Sequence, residues 1–469
     1  MDTTSFDFVV IGGGSAGYAA ASTAARVGLK TAVIEGGHEV GGLCILHGCM
    51  PSKALLASSQ RAAAVRSAHT FGIQAELNCI NLAAVQARKR ALIENFASYR
   101  KSQLASGRFT FLRARARFID PNTLVLENLD DGSSNTLHAR TFLIATGSRL
   151  QKLSIPGLWE TGCLDSDALL SSERLPKSVI VLGGGAIALE AATYYAGLGS
   201  QVTLLQRSET LLKEMDADVS EAVKSGLQSH GILVETNLQL ERVDRIGNQK
   251  RVTYHQSGKS HSIVAEEIVY ALGRVPNTEA LELANAGVQL NGTFIGTNPF
   301  QQTNIQHIFA AGDVCGPFEV VHIAIQQGEL AARNAHRLLQ SEPDQPLEPI
   351  DYRLKLFAVF SDPAVASVGL TEKEAFASGI SIAATSYPFN DHGKSMLEGH
   401  LHGFVKLIVQ AETREILGGA VVGPDAAELI QEIVVAMAFR CTAGTLAQIP
   451  HYHPTLSEIW TYPAEELTE

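Results

Sequence analysis

Phe8-Val9-Val10-Ile11-Gly12-Gly13-Gly14-Ser15-Ala16-Gly17 is the stretch on which the fold turns. Four apolar residues read as a buried strand. The glycines turn it into an alanine-rich helix reaching about Val27, and a second strand follows at Thr31–Glu35. Gly12 permits the tight turn, Gly14 lets backbone approach a pyrophosphate, and Gly17 lets helix pack on strand. The helix N-terminus at Ser15 and Ala16 then stabilises phosphate charge. Glu35 closes the second strand, where an acid accepts from free ribose hydroxyls.

The pattern recurs. A strand at Val179–Leu182 runs into Gly183-Gly184-Gly185-Ala186-Ile187-Ala188, a helix to about Ala196 and a strand at Gln201–Gln206. Glu35 lies 23 residues after Gly12 (35 − 12), and Gln206 lies 23 after Gly183 (206 − 183). The equivalent position thus holds an acid in one copy and a neutral amide in the other. A carboxylate there repels a 2′-phosphate; its loss, with Arg207 next and Lys213 six residues on, favours one. The expectation is a first site for the ADP half of FAD and a second for NADPH. Each copy closes with an apolar strand running into glycine, Phe142–Ala145 before Thr146-Gly147 and Ile268–Leu272 before Gly273. A third such strand, His307–Ala311, ends in Gly312-Asp313, an acid placed to hold a hydroxyl of a flavin ribityl chain. An extra segment, about Ala54–Phe118, interrupts the first copy and reads mainly as helices. From about Leu347 alternating runs such as Leu356–Phe360 and Gly403–Val409 read as antiparallel strands, with helices including Ala426–Phe439.

The reading is α/β: two Rossmann-like dinucleotide-binding domains and an α+β C-terminal domain. Residues 1–148 form the first domain and 149–277 the second. Residues 278–346 complete the first, and 347–469 form the last.

Between the copies lies Gly41-Gly42-Leu43-Cys44-Ile45-Leu46-His47-Gly48-Cys49-Met50-Pro51-Ser52-Lys53. On an ideal helix, positions i and i+5 diverge by about 140°. Bringing two Cβ atoms to the roughly 3.5–4.5 Å of a disulfide therefore needs a distorted backbone. Gly48 allows the turn, and Pro51 suits the first turn of a following helix. A thiol at a helix N-terminus has its thiolate favoured by the dipole. Alone, the pair also fits two inert buried cysteines or half a zinc site. Cys79, Cys163, Cys315 and Cys441 show no paired spacing and read as packing residues.

Composition excludes several classes. The 469 residues carry a formal charge of −11, which argues against nucleic acid and anionic membranes as partners. With 45% hydrophobic residues the chain is globular. No apolar run of about 18 residues predicts a transmembrane helix. A strand begins almost at once, at Phe6, which leaves no room for a leader and predicts a cytoplasmic protein. Six cysteines make no secreted disulfide framework.

The ordered set of motifs resembles the flavoprotein disulfide reductases, the pyridine nucleotide family of dihydrolipoamide dehydrogenase, glutathione reductase and mercuric reductase. The resemblance covers essentially the whole chain. It is carried by Gly12-x-Gly14-x-x-Gly17 with Glu35, the Cys44/Cys49 pair, Ala145-Thr146-Gly147-Ser148, and the second fingerprint with Glu190. Gly273-Arg274-x-Pro276-Asn277, Gly312-Asp313, Asp362-Pro363 with Ser367-Val368-Gly369-Leu370-Thr371-Glu372, and His453-Pro454-Thr455-x-Ser457-Glu458 extend it.

The resemblance implies FAD with its ring between the cysteine pair and a nicotinamide. Cys49 would be the charge-transfer thiolate facing the flavin, and Cys44 the interchange thiol that attacks a small disulfide substrate. Lys53 and Glu190 would pair near the flavin's reactive nitrogen. His453, oriented by Glu458, would be the general acid–base, reaching the site from the partner chain of an obligate homodimer whose interface is residues 347–469. FAD would rest on Gly12, Gly14, Ser15, Ala16, Gly17, Glu35, Gly42, Lys53, Thr146, Gly147, Ser148, Gly312 and Asp313. The nicotinamide nucleotide would rest on Gly183, Gly185, Ala186, Ile187, Glu190, Arg207, Lys213, Gly273 and Arg274. No metal is implied. The chemistry suits the residue types: a mixed disulfide resolves faster when the leaving sulfur is protonated, and histidine is poised for that near neutral pH.

Some positions depart from the family pattern. Leu43 replaces the threonine common before the first cysteine, His47 is an ionisable ring inside the cysteine loop, and Ala186 removes the tyrosine that gates the nicotinamide pocket in glutathione reductase. Met50-Pro51-Ser52-Lys53 is closer to dihydrolipoamide dehydrogenase and mercuric reductase, yet Gln206 stands where the former has an acid. The tail lacks the cysteine pair of the latter. The combination predicts an NADPH-driven reductase of a small disulfide. The alternatives are an NAD-dependent dihydrolipoamide dehydrogenase and a flavin-bound binding protein without catalysis.

Overall fold

The computed structural model describes residues 5–340 and 345–468. The chain divides into two units, one of Met1–Ala54, Ala87–Lys152 and Gly273–Asp351, the other of Leu55–Gln86, Leu153–Leu272 and Tyr352–Glu469.

The first unit is built on a parallel sheet. Strand Ser5–Ile11 pairs with Thr31–Glu35 on one side and Ser134–Ile144 on the other. Thr110–Asp120 and Ile308–Ala310 add parallel strands at the two edges. From Phe8 to Ile11, successive residues of the first strand alternate between two apolar layers. Phe6, Val9 and Ile11 join Ile34, Phe118, Phe142 and Ile144 on one face. Phe8 and Val10 join Ala16, Ala20, Ala24, Leu143 and Ala331 on the other. Burial on both faces explains why these strands are apolar throughout. Helices Ser15–Arg26 and Val321–Leu339 approach so closely that a Cβ at Gly328 would lie 2.3 Å from Ala16 O. Thr110–Asp120 and Ser134–Ile144 run beyond the parallel layer and pair with Thr123–Asn128 as an antiparallel extension.

The interrupting segment is helical at Cys49–Ser67 and Leu82–Leu104, as its composition suggests. The strand at Thr110–Asp120, however, begins inside the stretch read as helices.

The second unit holds the second copy. Its parallel sheet has the order Glu267–Tyr270, Ser178–Leu182, Gln201–Leu205, Leu233–Glu235, flanked by helices Ala186–Leu198 and Ala217–Ser229. The Cys49 helix continues into this unit, where Leu55, Leu56 and Ala62 join the core around Tyr194 and Tyr195. Ser59 Oγ donates to Tyr194 O at 2.8 Å. The C-terminal five-stranded antiparallel sheet runs Leu356–Val359, Ala364–Gly369, Ile416–Gly423, Phe404–Gln410, Ile382–Pro388. Helix Ala426–Ala438 covers it through Leu429, Ile430, Ile433 and Met437. Among the described residues no helix is long and apolar enough to cross a membrane.

Candidate active site

The cysteine pair lies on a break between two helices. Cys44 is in the short helix Gly42–Leu46, and Cys49 opens the helix Cys49–Ser67. His47, exposed, ends the first helix with its amide bonded to Leu43 O at 2.9 Å. At Gly48 a Cβ would lie 3.0 Å from Leu43 O and 3.3 Å from Cys44 Cα. The fold-back that an i,i+5 pair demands is therefore made at a residue with no side chain. Both sulfurs are free thiols. A hydrogen bond with Cys49 pushes the Cys44 thiol well above the ordinary range. Burial and the Cys49 charge push the same way, while Arg100 and Lys53 oppose. Cys44 is thus the sulfur that holds its proton more tightly, while Cys49 stands at a helix N-terminus, a place that favours a thiolate.

The turn is fixed to the dinucleotide fingerprint. Gly42 has φ +72°, and a Cβ there would meet Gly14 Cα at 2.7 Å. Within the fingerprint a Cβ on Gly17 would meet Gly12 O at 1.8 Å. Glu35 is buried, its Oε2 accepting from Gly13 N at 3.0 Å and its Oε1 from Gly37 N at 2.7 Å. The second copy reproduces the geometry with a different side chain. A Cβ at Gly13 would lie 2.9 Å from Glu35 Oε2, and one at Gly184 would lie 2.8 Å from Gln206 Cδ. Gln206 and Glu35 thus occupy the same place, as their spacing predicted. Arg207 is exposed beside it, whereas Lys213 points to Glu214 at 3.4 Å on the surface.

Around Asp313 the residues converge. Ser148 Oγ donates to Asp313 Oδ2 at 2.6 Å, and Arg274 donates to Ser148 Oγ and Ser148 O at 2.8 Å each. Arg274, expected among the nicotinamide contacts, lies beside Asp313 in the first unit. Thr146 Oγ1 donates to Asn277 O at 2.7 Å. Nearby, burial and the Asp313 charge push Glu319 up to about 7, with Arg274 opposing.

In the second unit, His453 Nδ1 lies 3.0 Å and 3.2 Å from the two oxygens of Glu458. The imidazole is 80% exposed while Glu458 is only 11% exposed, so the carboxylate is the fixed member. His392, fully buried, lies 3.4 Å from Glu458 on its other side. His451 bonds Glu432 at 2.6 Å and the backbone of Ile449, which fits a structural role. Glu190 is buried in the Ala186–Leu198 helix and accepts from Phe360 N at 3.2 Å. Lys53 stands one turn into the Cys49 helix.

The sequence profile described as pyridine nucleotide-disulphide oxidoreductase matches residues 6–328, and the dimerisation domain of the same group matches residues 357–464. The chain belongs to the pyridine nucleotide-disulphide oxidoreductases. The dihydrolipoyl dehydrogenase of Bacillus subtilis is 33% identical over 97% of this chain and 96% of its own. That of Mycobacterium tuberculosis is 34% identical over 97% and 96%. Among solved structures, LpdA from Mycobacterium tuberculosis superposes with a TM-score of 0.87 at 29% identity, covering 98% of this chain and 99% of that one. A Cu(II) complex of RclA from Escherichia coli, an HOCl-induced flavoprotein disulfide reductase, gives 0.84 at 26%, covering 99% and 100%.

As a pyridine nucleotide-disulphide oxidoreductase the chain is an enzyme that uses FAD and a nicotinamide nucleotide. Its glycine turns fit those groups. A Cβ on Gly147 or Gly185 would meet nothing within 4 Å, and one on Gly14 only Gly42 Cα at 3.9 Å, so backbone faces open space at both helix starts. Sequence reasoning missed Arg100, His392 and Glu319. Arg100 sits among Arg88, Lys89, Arg90 and Lys101 on one helix, a pattern that reads as a solvated face.

Proposed function

We propose that the chain is an FAD-dependent NADPH:disulfide oxidoreductase that reduces a small disulfide, working as a homodimer in the cytoplasm. The observation that carries this reading is the Cys44–Cys49 pair, folded back on itself at Gly48 between two helices. FAD, held by the first fingerprint and Glu35, would supply the route by which an electron pair from the nicotinamide nucleotide opens the cysteine disulfide.

The chain's own residues then do the rest. Cys44 gives up its proton to the partner subunit's His453 and attacks one sulfur of the substrate, and the substrate S–S bond breaks. His453, from the partner chain, protonates the departing sulfur, with Glu458 fixing its tautomer and stabilising the imidazolium. Cys49 attacks Cys44, the mixed disulfide breaks, the second product leaves as a thiol with the Cys49 proton, and the pair is closed. Lys53 favours the Cys44 thiolate, and with FAD bound Lys53 and Glu190 would pair near the flavin's reactive nitrogen. A histidine 80% exposed in one chain gains the dry surroundings an acid–base needs only when another surface covers it.

NADPH is favoured by Gln206 in the place of Glu35 and by exposed Arg207. A second reading, NAD-dependent dihydrolipoamide dehydrogenase, is supported by relatives of that name at 33–34% identity. Steady-state kinetics with both nucleotides, each against lipoamide and other small disulfides, separates the two. NADPH is expected to give the higher kcat/KM; a clear preference for NADH with lipoamide turnover would overturn the proposal in favour of the second reading.

A further inference from the structure

An open cleft of about 660 Å³ lies in the first unit among helices Ser15–Arg26, Leu82–Leu104 and Val321–Leu339. Its polar walls include Tyr18, Arg26, Arg100, Arg108 and Glu329. Three guanidinium groups against one carboxylate make a basic recess on a chain whose formal charge is −11. The Arg100 guanidinium lies 4.3 Å from the centre of the Tyr18 ring, and that of Arg108 lies 5.9 Å from it. Arg108 also donates to Tyr18 Oη at 3.0 Å, so the phenol ties the two cations together.

Arg100 is incompletely satisfied. Its Nε and Nη1 are buried and have no hydrogen-bond partner among the described residues. Stacking on an aromatic ring satisfies the face of a guanidinium and leaves its edge donors open. Buried donors in that state cost free energy until an acceptor arrives, and a carboxylate matches the guanidinium fork. The same cation acts on the reactive sulfur: Arg100 opposes the upward push on the Cys44 thiol, and Cys44 supports the charge of Arg100 against the burial that lowers it. Ser15, which also lines the cleft, follows Gly14, the residue against which Gly42 of the cysteine loop packs, so the unsatisfied cation stands close to the cysteine loop and acts on the Cys44 charge.

We propose that this cleft receives the disulfide and that Arg100, stacked on Tyr18 and backed by Arg108, binds a carboxylate on one arm of it, making the enzyme selective for small disulfides with anionic arms. The inference rests on the proposed role of the Cys44–Cys49 pair. The reaction balances without another reactant. The Cys44–Cys49 dithiol is oxidised to its disulfide, the substrate disulfide is reduced to two thiols, and the two protons pass from the cysteines to the products. The electron pair that restores the dithiol would come from the nicotinamide nucleotide of the proposed reaction.

The test uses the flavin-loaded enzyme, its preferred nicotinamide nucleotide and three disulfides of similar size. These are dithiodipropionate (dianionic), bis(2-hydroxyethyl) disulfide (neutral) and cystamine (dicationic). The wild type should favour the dianion over the neutral compound by about tenfold or more in kcat/KM, the scale of one charge-assisted hydrogen bond. The advantage should lie mainly in KM and shrink as salt is added. Arg100→Met should collapse the ratio towards one, and Arg100→Lys should restore part of it. A wild type that turns over the neutral or cationic compound as efficiently as the dianion overturns the proposal without needing any variant. So does an Arg100→Met enzyme that keeps the ratio. If no disulfide of any charge is reduced while artificial acceptors are, the cysteine-pair reading itself fails and this inference falls with it.

Discussion

Cys44 and Cys49 have the same side chain but different environments. Cys49 opens a helix, while Cys44 is hydrogen-bonded to Cys49 and half-buried. The hydrogen bond is the largest cause of the raised Cys44 thiol, so its removal has a definite sign. In Cys49→Ala the main upward push on Cys44 disappears and the pull of Arg100 and Lys53 remains. The Cys44 pKa should fall, and more thiolate should be present at any given pH below it. We expect iodoacetamide to alkylate Cys44 of this variant at a lower pH than Cys44 of the reduced wild type, with the midpoint read by mass spectrometry across a pH series. A midpoint that does not move would show that burial alone sets the Cys44 proton.

Among the elements, the strand–turn–helix–strand units were legible because each residue type there has one job. Gly12 and Gly17 meet carbonyl oxygens at distances no Cβ survives, and Glu35 holds two backbone amides. The strand Thr110–Asp120 was not legible, although Phe111-Leu112-Arg113-Ala114-Arg115-Ala116-Arg117-Phe118 carries a period-two pattern. It follows a 23-residue helix of similar basic composition, and its parallel partner lies far off in sequence at Thr31–Glu35. His392 was illegible for the same reason: what gives it meaning is Glu458, 66 residues on (458 − 392). Strand Phe404–Gln410 shows how elements are locked. Lys406, 3% exposed, bonds Asp216 at 3.1 Å and Asp218 at 2.8 Å, and also pairs with Glu372. Asp216 in turn accepts from the amides of Glu372 and Lys373. Lys406→Met should strand a buried carboxylate and cost about 3 kcal/mol in denaturant melts, less at low pH where the carboxylates protonate. A loss below about 1 kcal/mol would mean the two half-exposed acids simply turn to solvent.

At the scale of the whole molecule, the C-terminal region leaves large apolar side chains uncovered. Phe439 is 79% exposed, Tyr452 84% and Val435 56%, all within the residues that match the dimerisation domain. Exposed apolar groups of that kind mark association surfaces. Phe439→Glu should therefore shift the protein from dimer towards monomer in sedimentation. It should lower disulfide turnover far more than reduction of artificial acceptors, which need no His453. A variant that sediments as a dimer with full activity would place the association surface elsewhere. The contact between Gly42 and Gly14 carries a different consequence. The loop bearing the sulfurs and the loop seating the nucleotide meet at a joint with no spare ångström, so neither can drift over evolutionary time without dragging its neighbour. Diversification towards new acceptors is thereby channelled into the surrounding walls, and an engineer seeking a different preference should leave that hinge alone and recut the recess.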